Sequence, residues 1–447
     1  MNRLRVTGLQ PLRGTLRLPG DLQIGQQALV WAALSSGDCL VAGLGRRSDH
    51  ALLVSALREL GVSIAETDAG FRIRGVGVRG LQMPRGALKA GDSLSTLELL
   101  STLLAGQRFG TRIEAHGRAA ARSLRTLIDP LRARGAAING KVDDAGELRA
   151  PVSAAPLLAN ERLSDVEIEI PNGDRATKLA LFLSGLYASG ITAVSEGVLS
   201  PDHVERALVA LGAPLETMGT MAVLDTVEWQ PAWGGFEWQI PGDFGLAACL
   251  IAAASVIPGS DLTLPFVAVN RTRTAFFDLL RHAGANVEVT PKGDAAGDEP
   301  VAEIRVRHAA LRSTRASGEL ALRLVAELPA FALLALGATQ RSSLRDVSSV
   351  RLQKPDPLKA LSQCLRAFGC ECTDYEDGFD LDPIARPRGT LVTADVMAGA
   401  ELGALLLALA AEGESIIDDN GFIESAFPGA VPALRMLGAH IEMEERS

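Results

Sequence analysis

At 447 residues, 47% of them hydrophobic, the chain holds enough apolar material for two to four domains of about 150 residues, which excludes disorder as its main state. With 44 basic against 53 acidic residues the net charge is -9, and 4% aromatic residues leave few rings for base stacking, so a nucleic-acid partner is not expected. Five cysteines without a CxxC pair speak against a disulfide framework or a zinc site, and no metal or cofactor is expected. No apolar run reaches bilayer length and the first residues lack an apolar signal core, so the expectation is a soluble, cytoplasmic protein with no membrane partner.

In chain order, Leu18-Pro19-Gly20-Asp21 breaks the chain and supplies an Asp to cap the helix that follows. The next stretch, 27–37, is apolar on nearly every face, and a helix without a polar face must be buried all round. Residues 56–64 then place apolar side chains three or four apart, followed by Gly61 and a short alternating run. That pattern predicts an amphipathic helix, ended by a left-handed glycine and followed by a strand. The same pair of helices returns at 95–106 with 130–138 around Gly135, and at 177–190 with 207–215 around Gly212. A second Pro-Gly-Asp, at 241–243, precedes three more pairs: 246–259 with 279–287 around Gly284, 328–337 with 364–372 around Gly369, and 402–413 with 433–441 around Gly438.

Six modules of roughly 75 residues are too long for a solenoid repeat and read as small α/β units. Three modules in each of two domains is the simplest assembly, with the buried helices inside and the sheets outside them. Crossings near 18–21 and 240–243 divide the chain into 21–241 and the sum of 1–20 and 242–447.

With these repeats on the page, the motifs 12–21, 103–109, 178–196, 202–208, 241–264, 270–274, 327–338, 376–381 and 425–439 fall in one order over the whole chain. In that order and spacing the sequence resembles the enolpyruvyl transferases, and among them the EPSP synthase (3-phosphoshikimate 1-carboxyvinyltransferase) family. The resemblance implies an α/β fold of two inside-out, barrel-like domains, each of three βαβαββ units. It also implies transfer of the enolpyruvyl group of phosphoenolpyruvate to a sugar-like hydroxyl, with small-molecule ligands held in an interdomain cleft by helix N-termini and by Lys and Arg side chains.

The departures from the family fall on those cationic positions. Leu22, Gln23 and Gln27 stand for its Lys, Ser and Arg after Pro-Gly-Asp; Asp92 and Ser93 open a segment in which Glu98 stands for Arg. Asp174 and Ala176 stand where the family has a Ser and a Gln that hold substrate phosphate ahead of Lys178, Arg175 between them is a gained cation, and Pro201 replaces an Arg before Asp202-His203. Ala326 stands where the family has its proposed proton acceptor, and Gln353 and Lys354 exchange its catalytic Lys-Glu pair. Arg122, Lys178, His203 and Glu327 survive among the family-like residues.

On this resemblance Glu327 and His203 are candidate bases, Lys354 a candidate acid or electrostatic stabiliser, and Glu98 a fourth candidate catalytic group. Gln23, Gln27, Asp92, Ser93, Arg122, Asp174, Arg175, Lys178 and Gln353 are candidate substrate ligands. Charge-assisted bonds to phosphate contribute about 1.5–3 kcal/mol each, so four lost cations would remove about 6–12 kcal/mol. The expectation is therefore a diverged enzyme, using the cleft on a shikimate-like or other polar carbocyclic molecule for elimination or group transfer. The alternatives are a catalytically inactive relative that binds a ligand or a protein partner, and a residual 3-phosphoshikimate 1-carboxyvinyltransferase.

Overall fold

The computed structural model describes residues 2–445 except 159–160, 172, 353–355, 384–385, 398 and 420. The chain divides into two compact units, one of Met1–Pro19, Gly242–Gly293 and Pro300–Ser447, the other of Gly20–Pro241 and Asp294–Glu299. Two crossings fall at the Pro-Gly-Asp segments. The six residues Asp294–Glu299 were grouped by the sequence reading with 242–447, but they pack against the helix His203–Ala210 and belong with Gly20–Pro241.

Six apolar helices run through the two units: α1 (Leu22–Leu34), α2 (Leu94–Ala105), α3 (Arg175–Gly185), α4 (Phe244–Val256), α5 (Leu328–Leu336) and α6 (Glu401–Ala410). Side-chain caps set four of their starts. Asp21 accepts from the backbone N–H groups of Gln23 and Ile24, Ser93 from Thr96, Asp174 from Thr177 and Asp243 from Leu246. α1 therefore begins five residues before the apolar run at 27, because the Asp21 cap and not hydrophobicity decides where it starts. Each fully buried Leu in these helices contributes about 1.5–3 kcal/mol. In the first unit α4, α5 and α6 pack on one another within a continuous core.

The second helix of each module ends at its expected glycine. Gly61, Gly135, Gly212, Gly284, Gly369 and Gly438 have φ of 91°, 98°, 81°, 74°, 75° and 101°, a region that L side chains adopt only at a cost. Strands follow directly at Ser63–Thr67, Ile138–Val142, Leu215–Met218, Asn286–Asp294, Cys372–Tyr375 and His440–Glu445.

Among the described residues the strands build six four-stranded sheets, three per unit, each with a parallel pair at one edge. In four of them that pair brackets a buried helix along the chain, and in the other two its members come from distant parts of the sequence. In one of the four Val166–Ile170 runs parallel to Ile191–Glu196, which pairs antiparallel with Met221–Asp225, itself antiparallel to Leu215–Met218. Two sheets of the first unit borrow a strand from the chain's start: Arg13–Thr15 lies parallel to Asp261–Ala268, and Asn2–Thr7 lies between Glu414–Asp419 and His440–Glu445. Among the described residues no helix is long and apolar enough to cross a membrane.

Candidate functional site

The Gly20–Pro241 unit carries a pocket of about 630 Å³, measured out to its open mouth. Helical spacing makes its walls. Gln23, Gln26 and Gln27 share one face of α1, Ser95 and Glu98 sit three apart on α2, and Arg175 opens α3. Pro201 and His203 close it from the start of the helix His203–Ala210.

Arg175 is the cation of this wall. With its amide oxygen turned inward, Gln23 accepts from the Arg175 guanidinium Nη2 at 2.9 Å. Gln26 donates to Thr96 Oγ1 at 3.1 Å and so ties α1 to α2. Glu98 is half-buried opposite them. Burial pushes its carboxyl up to about 7, Asp174 adds to the rise, and Arg175 and Arg122 hold it back. A carboxyl poised there is a hydrogen-bond donor for about half the molecules at pH 7 and an acceptor for the rest.

His203 is 4% exposed, and its Nδ1 lies 2.5 Å from Glu299 Oε1. Burial by itself would lower the imidazole pKa, but Glu299 overrides it, with Asp21 and Asp202 adding to the rise. The rise favours the protonated form of His203.

Several of the residues singled out by sequence stand elsewhere. Lys178 does not line the pocket; it is 1% exposed, with its Nζ 2.8 Å from Glu205 and 3.1 Å from Glu196, and it donates to the Ser200 carbonyl. Its ammonium ties down the 196–203 segment, whose other end carries Pro201 and His203. Ser93 donates to Asp49 while capping α2, and Asp174 caps α3 and accepts from Thr177 Oγ1. Asp92 accepts from the Ala119 backbone and pairs with Arg118. Arg122 reaches the pocket through its charge on Glu98.

Glu327 belongs to the other unit, where it is fully buried and ion-paired with Arg273, which lies over the Phe244 ring. Gln353 and Lys354 lie outside the described residues. Sequence reasoning missed Glu299, which has no local signal because its partner is 96 residues away. Ser95 was legible as the residue three before Glu98.

The sequence matches the family described as EPSP synthase (3-phosphoshikimate 1-carboxyvinyltransferase) over residues 6–445. The chain belongs to that family. It is 33% identical over 435 residues to the 3-phosphoshikimate 1-carboxyvinyltransferase of Geobacter sp. (strain M21), covering 97% of this chain and 99% of the relative. The enzyme of the same name from Synechococcus sp. (strain RCC307) is 35% identical, with 96% and 97% covered. Among solved structures, an EPSP synthase from Acinetobacter baumannii superposes with a TM-score of 0.87 at 25% identity, each chain covered in full. The enolpyruvyl transferase NikO from Streptomyces tendae shares the fold, with a TM-score of 0.75 at 19% identity over 100% of this chain and 99% of its own.

These relatives correct the expectation drawn from the missing cations. A chain collinear from end to end with 3-phosphoshikimate 1-carboxyvinyltransferases favours the reaction they are named for over a departure to another chemistry. The charge inventory failed because it counted each replaced residue as a lost bond. It could not register that burial leaves Glu98 only about half ionised at pH 7.

Proposed function

We propose that the chain catalyses carboxyvinyl transfer from phosphoenolpyruvate to a ring hydroxyl of 3-phosphoshikimate, with release of inorganic phosphate. The observation that carries this reading is the near full-length identity of about one residue in three to enzymes named for that reaction. The pocket of the Gly20–Pro241 unit supports it, since its size suits a small polar ligand and its walls offer several donors around Arg175.

In this reading Arg175 and the Gln23 and Gln27 amides hold the oxygen-rich, anionic 3-phosphoshikimate. The reacting hydroxyl oxygen bonds to C2 of phosphoenolpyruvate, the C2–O bond to phosphate breaks, and the hydroxyl proton leaves. Glu98, poised near neutrality, is the pocket group best matched to accept that proton.

The test is to incubate the purified chain with both substrates, measuring released phosphate and the carboxyvinyl product by mass. Equal amounts of both, absent when either substrate is omitted, are expected. No product above that control at saturating substrate refutes the proposal.

A further inference from the structure

Gln27 and His203 also line a second, smaller cavity in the same unit, with room for about one water, together with Trp31, Trp238, Ala296 and Glu299. Three side-chain atoms on this wall are buried without a hydrogen-bond partner: Trp31 Nε1, Gln27 Oε1 and His203 Nε2. Their residues are 0%, 8% and 4% exposed, and Glu299, which holds the other imidazole nitrogen, is 1% exposed. Three unsatisfied polar atoms at one cavity are costly, and buried polar groups in folded proteins nearly always find partners.

The inventory of donors and acceptors selects the partner. Trp31 Nε1–H only donates, and Gln27 Oε1 only accepts. With Nδ1–H given to Glu299, the protonated form of His203 that this carboxyl favours presents Nε2–H as a second donor. Two donors and one acceptor cannot all be satisfied by pairing among themselves. One water can satisfy all three, since it accepts two hydrogen bonds and donates two.

We propose that this cavity holds one ordered water, which accepts from Trp31 Nε1 and His203 Nε2 and donates to Gln27 Oε1, making Glu299 the positioning residue for the Gln27 amide. Glu299 fixes the imidazole, the imidazole and the indole fix the water, and the water turns the Gln27 oxygen away from the larger pocket. The Gln27 NH2 group is then left to face that pocket as a pair of donors. A ligand rich in acceptor oxygens is thereby preferred at a position where the family carries an arginine. The identity of that ligand rests on the reading proposed above; the water and the orientation of Gln27 do not.

Three measurements on the whole chain test this. A high-resolution crystal structure of the unliganded protein should show one water within about 2.7–3.2 Å of the three atoms, and Trp31→Phe should weaken or abolish it. A dry cavity, or a water bonded elsewhere, overturns the proposal. With 15N-labelled histidine, His203 should titrate above the ordinary imidazole range, fall by about 1–3 pH units in Glu299→Gln, and partly recover in Glu299→Asp. An unchanged titration removes Glu299 from its role.

With 3-phosphoshikimate and phosphoenolpyruvate as substrates, Glu299→Gln should raise KM for 3-phosphoshikimate about tenfold while kcat stays near wild type, the size of one lost neutral hydrogen bond. An unchanged KM alongside a lowered His203 titration breaks the link to Gln27. If the wild type turns over neither substrate, the reading of the reaction falls, while the crystallographic and titration results still decide the water and Glu299.

Discussion

Replacing Glu98 by glutamine isolates the energetic cost of a carboxylate in the pocket wall, because the side chain keeps its shape and loses only its charge. Burial raises the carboxyl from its ordinary 4.5 to about 7 in the folded chain. Below 4.5 the group is protonated in both folded and unfolded chains, so the substitution changes little through this route. Between 4.5 and about 7 the folded chain keeps a proton that the unfolded chain has lost, and wild-type stability falls as pH rises. Above about 7 the loss is complete. At about 1.36 kcal/mol per pKa unit it amounts to about 3 kcal/mol, an upper value because solvent reaches the half-buried group.

Glu98→Gln has no such slope. Its advantage over wild type should grow from near zero at pH 4.5 to a plateau above pH 7, a midpoint difference of about 6–12 °C at most for a unit of this size. Thermal unfolding of both proteins at pH 5, 6, 7 and 8 measures it. A difference that does not change with pH, or a wild type that gains on the variant as pH rises, would show that Glu98 is not held near neutrality.

Three other outcomes follow from the same structure. Arg175→Ala should raise KM for 3-phosphoshikimate by about 10–150-fold, the range of one charge-assisted bond, with the thermal midpoint nearly unchanged; an unaltered KM in steady-state kinetics removes Arg175 from substrate binding. Lys178→Met should cost about 3–5 kcal/mol in denaturant unfolding, because it strands the buried Glu196 and Glu205; joining it to Glu196→Gln and Glu205→Gln should recover most of that, and a single-variant loss below about 1 kcal/mol contradicts the ion triad. Gly212→Ala, at φ 81° with open space around the added methyl, should cost about 1–2 kcal/mol through the backbone alone, and Gly212→Asn less, again by denaturant unfolding.

What the sequence by itself determined is local in origin. Six apolar helices, six glycines closing amphipathic partners and two Pro-Gly-Asp breaks are each written within a dozen residues, because helix period, left-handed backbone and N-capping act over a few peptide units. From them comes the module count. Only the tertiary structure decided what long-range contacts control. It placed Asn2–Thr7 and Arg13–Thr15 in sheets built from distant residues, and it brought Glu299 to His203 across 96 residues. It withdrew Lys178 into a cage of two carboxylates and left Glu98 half-buried near neutrality. A side chain's charge state and its partner are properties of the dielectric and the groups around it. Those surroundings exist only once the chain has folded.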